Sequence, residues 1–210
     1  MILVLDTATR RPVVALAGAD GTILAQRQWE SRHRHGEELL ARLDEVLAEA
    51  GASRRDLDGV VVGTGPGSFT GLRIGLATAK TVAYALSIPI CGISSTRALA
   101  LAVVSADPGA NKVTVALPAG AADRYVHTFR VTDGIPVEAK PPALVATPPK
   151  ADERDGEQID GLAAALARLG VDALSAGAAD DPATLVPAYV ALPRGIAAAA
   201  AEMTWSPDLR

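Results

Sequence analysis

The stretch "VVVGTGPGSFTGLRIGLATAKTVAYAL", residues 60–86, decides which fold this chain adopts. A run of valines leads into a glycine-rich segment, and a run of helical length that is rich in alanine and glycine follows. This order predicts a buried strand, a tight turn and a helix. Loops that hold a phosphate at a helix N-terminus have the same order, so the spacing of the glycines must be compared with the known motifs.

The glycines match neither of the two common phosphate-binding motifs. The Walker pattern needs a second glycine five residues after the first, but those positions after Gly65 and Gly67 are Thr70 and Leu72. The dinucleotide fingerprint GxGxxG is not satisfied either, because Gly67 and then Gly71 follow Gly65. The turn is therefore predicted to shape the chain and not to bind a nucleotide.

Small residues form a stripe along the helix of this stretch. Gly71, Gly75, Ala79 and Ala83 recur every four residues, so they lie along one face, and Thr78 and Val82 widen it. Such a stripe lets two backbones approach closely. Either the helix packs tightly on its own sheet, or it also receives a helix from a partner; the pattern alone favours neither.

The residues around this stretch predict the rest of the first half. "ILVLD", "VVALAGADG" and "TILAQRQW" indicate an antiparallel meander with a turn at Asp20-Gly21. A helix is predicted over 35–50, a strand over "IPICGIS" and a helix from 95 to 106 that is capped by Ser95 or Thr96. The apolar arc predicted for the first helix consists of Leu39, Leu40, Leu43, Val46, Leu47 and Ala50.

The second half carries weaker signals. "KVTVALPAG" and "RYVHTFRVTDG" predict two strands, and "IDGLAAALARLG" predicts a short helix. The Pro- and Ala-rich segment 135–156 between them is interpreted as a loop. "DPGAN" at 107–111 indicates a break, so two lobes are predicted, 1–106 and 107–210.

Charge and composition argue against several classes of protein. The net charge is −4, and residues 1–100 carry 11 basic against 10 acidic side chains, whereas residues 101–210 carry 9 against 14. Neither half has the excess of cations that nucleic-acid binding requires, so a nucleic-acid partner is expected to contact this chain only indirectly. Cys91 is the single cysteine, which excludes an internal disulfide. The first residues resemble neither a signal peptide nor a membrane span, so we expect a cytoplasmic protein.

No arrangement of residues predicts a catalytic centre or a metal site. Asp6 and Thr7, at the end of the first strand, are the best candidates, because a carboxylate and a hydroxyl there would suit a metal-bound phosphate. The alternative is a local turn that hydrogen bonds from both side chains stabilise, and the sequence favours neither interpretation over the other. His127 lies in a strand between Arg124 and Arg130 and is predicted on a solvated face.

Four segments closely resemble the TsaB (YeaZ) family. They are "MILVLDTAT", "HGEELL", "GVVVGTGPGSFTGLRIGLATAKTVAYAL" and "CGISSTRALA". The resemblance is strong over residues 1–100 and returns weakly at "PAYVALPR" and "TWSPDLR". It implies an α/β protein with the actin-like ATPase (ASKHA) fold, with two lobes that contain mixed sheets and a reduced second lobe.

The resemblance also implies a function. Members are required for threonylcarbamoyladenosine at position 37 of certain tRNAs, as a non-catalytic scaffold without a cofactor. The related subunit TsaD transfers the threonylcarbamoyl group from an adenylate made by TsaC, and the ATPase TsaE completes the complex. The catalytic paralogue has a metal-binding HxxxH, where Ser95 and Leu99 stand in this chain. Alternatives are a metallopeptidase-like or a sugar-kinase-like enzyme of the same superfamily.

Family members pair through their first two helices, as a homodimer in isolation or as a heterodimer with TsaD. Carried over, those helices are 35–50 and 70–86. The interface residues implied on them are His35, Leu39, Leu43, Gly71, Gly75, Thr78, Ala79, Val82 and Ala83.

Two further features follow from the resemblance. The turn is implied to be a remnant of a nucleotide-binding ancestor, with Asp6, Thr7, Gly65 and Gly67 as its vestigial site. The chain departs from the family's Pro-Xaa-Tyr-Leu-Arg-Arg ending, which here is 187–192 without either arginine.

Overall fold

The computed structural model describes residues 1–31, 35–120, 123–146 and 150–190, and the side chains of 35–37 are outside this description. The first half forms three strands, a helix, a strand, a helix, a strand and a helix, as predicted. Their bounds are β1 Ile2–Asp6, β2 Val13–Ala17, β3 Ile23–Gln28, α1 His35–Glu49, β4 Gly59–Gly63, α2 Phe69–Leu86, β5 Ile90–Ile93 and α3 Ser95–Ala106.

The first sheet has the strand order β3-β2-β1-β4-β5. The β1–β2 and β2–β3 pairs are antiparallel, which confirms the meander, and β1–β4 and β4–β5 are parallel. Strands that are covered on both faces read as continuous apolar runs, and this is why β1, β2 and β4 are so rich in valine and leucine.

Helices cover both faces of this sheet. α1 and α2 lie on one face, over an apolar cluster that includes Leu3, Leu5 and Val60. On the other face lies α4 (Leu162–Ser175), which contacts all five strands of the sheet. α4 packs on α3, and α3 packs on the second sheet. The molecule is thus layered, with α3 and α4 between the two sheets.

The second sheet has the order β8-β7-β6-β9, with bounds β6 Lys112–Pro118, β7 Asp123–Thr132, β8 Ile135–Ala146 and β9 Glu153–Asp155. The loop predicted over 135–156 was wrong, because β8 and β9 lie within it. β8 is an edge strand, and its prolines are tolerated there since only one side of the strand needs amide donors. The missed signal was Asp133-Gly134, both with positive φ, which joins β7 to β8 as a two-residue hairpin.

Three local predictions needed correction. Leu40 is 53% exposed, because it lies at the margin of the apolar arc of α1. The N-cap of α3 is Ser94 and not Ser95 or Thr96, and its hydroxyl accepts from the Arg97 amide. The helix predicted over 159–170 runs from Leu162 to Ser175.

The lobe boundary at residue 106 stays a prediction. α4 comes from the second half of the chain but packs on the first sheet, so the two halves share one set of central helices. In the described part of the chain, the helices lack the length and apolar character that crossing a membrane requires.

Candidate functional site

The end of β1 holds a fully buried carboxylate. One oxygen of Asp6 accepts from the Ala8 amide at 2.8 Å, and the other accepts from the Ser95 hydroxyl at 2.5 Å. Burial raises the pKa of Asp6, although both hydrogen bonds act in the opposite direction. The contact with Ala8 has the form of an Asx turn, which is the alternative proposed for this residue.

Ser95 connects this carboxylate to the glycine-rich turn. Its hydroxyl donates to Asp6 and accepts from the Gly65 amide at 2.9 Å, so the ends of β1, β4 and α3 are tied together. A Cβ on Gly63 would stand 1.7 Å from the Asp6 carboxylate. Glycine is therefore required there because the carboxylate fills the space.

Gly65 and Gly67 of the turn face protein and not an open cradle. Gly65 has a φ of +95°, and a Cβ on it would meet Leu72 at 2.8 Å. A Cβ on Gly67 would stand 2.3 Å from the Ala8 carbonyl, and that carbonyl accepts from the Ser68 amide at 2.7 Å. The turn packs directly on the chain that follows β1.

Thr7 lies next to α2. Its hydroxyl donates to the Gly71 carbonyl at 2.7 Å, and a Cβ on Gly75 would stand 2.2 Å from the Thr7 hydroxyl oxygen. The first two small residues of the α2 stripe thus let the helix approach β1. Ala79 and Ala83 continue the stripe into the apolar core beneath α1 and α2.

The nine residues of the implied interface differ in how far they are buried within this chain. Six of them are buried within this chain: Leu39, Leu43, Gly71, Gly75, Ala79 and Ala83. Thr78 and Val82 are partly exposed, and the side chain of His35 lies outside the described residues. The interface stays a prediction, but the accessible surface on these helices is their outer flank, which includes Leu40.

A cleft of about 340 Å³ lies between the turn after β1 and the segment before α4. Arg10 forms a bidentate ion pair with Glu157, and Arg11 pairs with Asp160. Glu30 and Asp155 also line the cleft. Its arginines are thus already neutralised by carboxylates, which disfavours a bound phosphate.

The positions that match the paralogue's metal-binding histidines are both buried. Ser95 bonds Asp6, and Leu99 is 1% exposed in the apolar core. Among the described residues, no three His, Cys, Asp or Glu side chains are grouped so that they could hold a metal ion. A hydroxyl and a hydrocarbon are not ligands that a catalytic zinc site uses.

His127 was predicted on a solvated face, and this was wrong, since it is 3% exposed. Its Nδ1 lies 2.7 Å from the Thr96 hydroxyl and its Nε2 lies 2.9 Å from Glu138. Burial lowers the pKa of His127, against the opposite influence of Glu138. No spacing signal in the sequence links these three residues, because strand pairing and the packing of α3 bring them together.

The end of the described chain contacts the glycine-rich turn. The Ala188 amide donates to the Thr64 carbonyl at 2.8 Å, and Tyr189 packs on Phe69 with ring centroids 5.1 Å apart. The segment "PAY" therefore anchors at the start of α2. Ala191, Leu192 and "TWSPDLR" lie outside the described residues.

The comparisons with known proteins agree with this geometry. A family model described as TsaD, tRNA N6-adenosine threonylcarbamoyltransferase, matches residues 23–151, which is more than half of the chain. The chain belongs to this family. The glycine-rich turn, α2 and α3 all lie within the matched range.

The similar proteins also include TsaB. The chain is 35% identical over 124 residues to the tRNA threonylcarbamoyladenosine biosynthesis protein TsaB of Escherichia coli, covering 59% of this chain and 52% of that protein. It is 36% identical over 99 residues to TsaB of Bacillus subtilis, covering 47% of this chain and 43% of that protein. The matched segment thus spans about half the length of these relatives.

A solved structure extends the similarity to nearly the whole chain. YeaZ from Pseudomonas aeruginosa superposes with a TM-score of 0.76 at 25% identity, covering 90% of this chain and 98% of that one. The predicted resemblance to TsaB (YeaZ) and the predicted α/β fold with mixed sheets are confirmed.

Proposed function

We propose that this chain is a non-catalytic partner subunit of the system that forms N6-threonylcarbamoyladenosine at position 37 of tRNAs, and that it binds and activates TsaD. The observation that carries the proposal is the match to TsaB and YeaZ, together with a glycine-rich turn that is filled by the chain's own residues. The proposed setting is the cytoplasm, with TsaE in the larger complex and with tRNA contacted indirectly.

The geometry at the ends of β1 and α3 supports the non-catalytic part of the proposal. Both carboxylate oxygens of Asp6 already accept hydrogen bonds, from Ser95 and from the Ala8 amide. Gly67 packs so closely on Ala8 that no space is left there for a phosphate. A group that acts on a substrate must be within reach of it, and these polar atoms are engaged with one another.

The outer flank of α1 and α2 is the surface that we propose for the partner. Leu40 is half-exposed, and Ile74, Thr78 and Val82 are partly exposed on the neighbouring helix. α1 and α2 contact each other, and we propose that the exposed parts of these side chains contribute to one surface. Apolar residues of this kind are typical of the centre of a protein interface.

The experiment is co-purification of the full chain with TsaD of the same organism, followed by threonylcarbamoyl transfer to tRNA. Leu40→Glu and Val82→Glu place charges on the proposed surface and should abolish both binding and transfer, since a buried unpaired charge is very costly. Leu144→Glu is the matched control, because Leu144 is 45% exposed on β8 in the second sheet. Gly75→Leu would not serve, as it would collide with Thr7 inside the chain.

Normal binding by both charged variants would refute the proposed surface. Hydrolysis of ATP or of a peptide by the isolated chain would refute the non-catalytic role and favour the sugar-kinase-like or the metallopeptidase-like alternative. Analytical ultracentrifugation of the same variants tests whether the homodimer uses the same surface.

A further inference from the structure

A second cavity, of about 370 Å³, lies between the N-terminus of α3, strands β7 and β8, and the segment that contains Ala188. It is separate from the helix surface proposed for the partner and from the cleft at Arg10. Its walls are largely apolar and include Pro66, Phe129, Val137 and Pro142. Four polar side chains also line it, namely Ser94, Arg97, His127 and Glu138.

Arg97 brings a positive charge to this cavity, and it forms no ion pair with a carboxylate among the described residues. Its Nε donates to the Pro136 carbonyl at 3.3 Å. The two terminal guanidinium nitrogens make no hydrogen bond or ion pair with any other described residue. A guanidinium with two free nitrogens presents the fork that matches a carboxylate.

Glu138 brings a negative charge that a buried network orients. His127 holds one oxygen of its carboxylate at 2.9 Å. Since a carboxylate only accepts, Nε2 carries the proton and Nδ1 accepts from the Thr96 hydroxyl. The Ser94 and Thr96 hydroxyl oxygens lie 3.1 Å apart. The hydrogen-bond network therefore runs from Ser94 through Thr96 and His127 to Glu138, and both of its end residues line the cavity.

Arg97 and Glu138 are not an ion pair, although both line the same small space. Glu138 is 56% exposed, so the cavity is open to solvent, and each charge can reach an opposite charge on a ligand that packs on the apolar walls. A ligand that satisfies both carries a carboxylate and an ammonium group on one small apolar body. We propose that this cavity binds a free α-amino acid with an apolar side chain.

In this site Arg97 receives the carboxylate, the free side of Glu138 receives the ammonium group, and Ser94 adds a hydroxyl. The apolar walls take the side chain. Thr96 does not line the cavity, whereas His127 does; both are positioning residues that hold Glu138. The site goes beyond the proposed partner role and uses none of its surface residues.

The experiment is an NMR titration of the ¹⁵N-labelled full chain with L-leucine, leucinamide and N-acetyl-L-leucine. Leucine should produce saturable shifts at the amides of 94–97 and 137–138. Leucinamide lacks the carboxylate and N-acetyl-leucine lacks the ammonium group, so each should bind at least about tenfold more weakly.

Variants assign the two charges. Arg97→Gln and Glu138→Gln should each weaken leucine binding by about tenfold or more, and the second keeps an oxygen for His127. Arg130→Gln is the control, since Arg130 is an exposed arginine of β7 that does not line the cavity. No saturable shift below ~10 mM leucine, or equal binding of all three compounds, would overturn the proposal. Because TsaD is absent from the titration, this result is independent of the proposed function.

Discussion

Two neighbouring residues of α3 enter opposite polar networks. The Ser95 hydroxyl faces the first sheet and bonds Asp6, whereas the Thr96 hydroxyl faces the second sheet and bonds His127. Both residues are fully buried. The first network ends on the Asp6 carboxylate, which is fully buried. The second network ends on Glu138, whose side chain is 56% exposed.

This difference sets a structural network on one side of the helix start against the proposed binding site on the other. The network around Asp6 is complete, because its atoms are satisfied by Ala8, Ser95 and Gly65. The network around His127 reaches a cavity that Arg97 and Glu138 line without forming an ion pair with each other. Disturbing the first should therefore have the larger effect on the stability of the fold, and disturbing the second should have a smaller effect on stability and change the response to ligand.

The largest effect is expected from Gly63→Ala. The new methyl group would stand 1.7 Å from the Asp6 carboxylate, so the ends of β1 and β4 must move apart. We expect a loss of about 3 kcal/mol or more in the free energy of unfolding, measured with urea. Gly109→Ala is the control, since the nearest atom to its Cβ lies at 3.5 Å. Equal stability of the two variants would mean that Asp6 does not fill this space.

A smaller effect is expected from Asp6→Asn, and it should depend on pH. Burial raises the pKa of Asp6 in the folded chain. Folding therefore favours the protonated form of Asp6. Its contribution to the free energy of unfolding is complete below the pKa of the unfolded state and is lost as the pH rises through the pKa of the folded state. The stability of Asp6→Asn relative to the wild type should therefore improve from pH 4 to pH 8. Urea unfolding at several pH values measures this, and a constant difference would contradict it.

The smallest effect is expected at His127. Burial lowers its pKa below the ordinary value of 6.5. Folding favours the neutral ring. The contribution of His127 to the free energy of unfolding is therefore present above the pKa of the unfolded state and is lost as the pH falls through the pKa of the folded state. His127→Gln should reduce the loss of stability below pH 6, measured by thermal unfolding. Arg130→Gln, at an exposed position on the same strand, provides the comparison, because it should leave this acid response in place.

Much of the first half could be predicted because its signals are local. β1, β2 and β4 are continuous apolar runs, and α2 follows a turn whose glycines are close in sequence. β8 was missed because its three prolines are typical of a loop. Only its position at the edge of the sheet makes them compatible with a strand.

By itself, the amino-acid sequence determined the order of elements up to α3, the resemblance to TsaB (YeaZ) and the glycine-rich turn after β4. The tertiary structure alone decided that the small residues of α2 face the chain's own β1 and core, since helical spacing does not tell which neighbour a face meets. It also brought Thr96, His127 and Glu138 together. Those contacts join a helix to two strands through long-range pairing, and no local pattern encodes such distances.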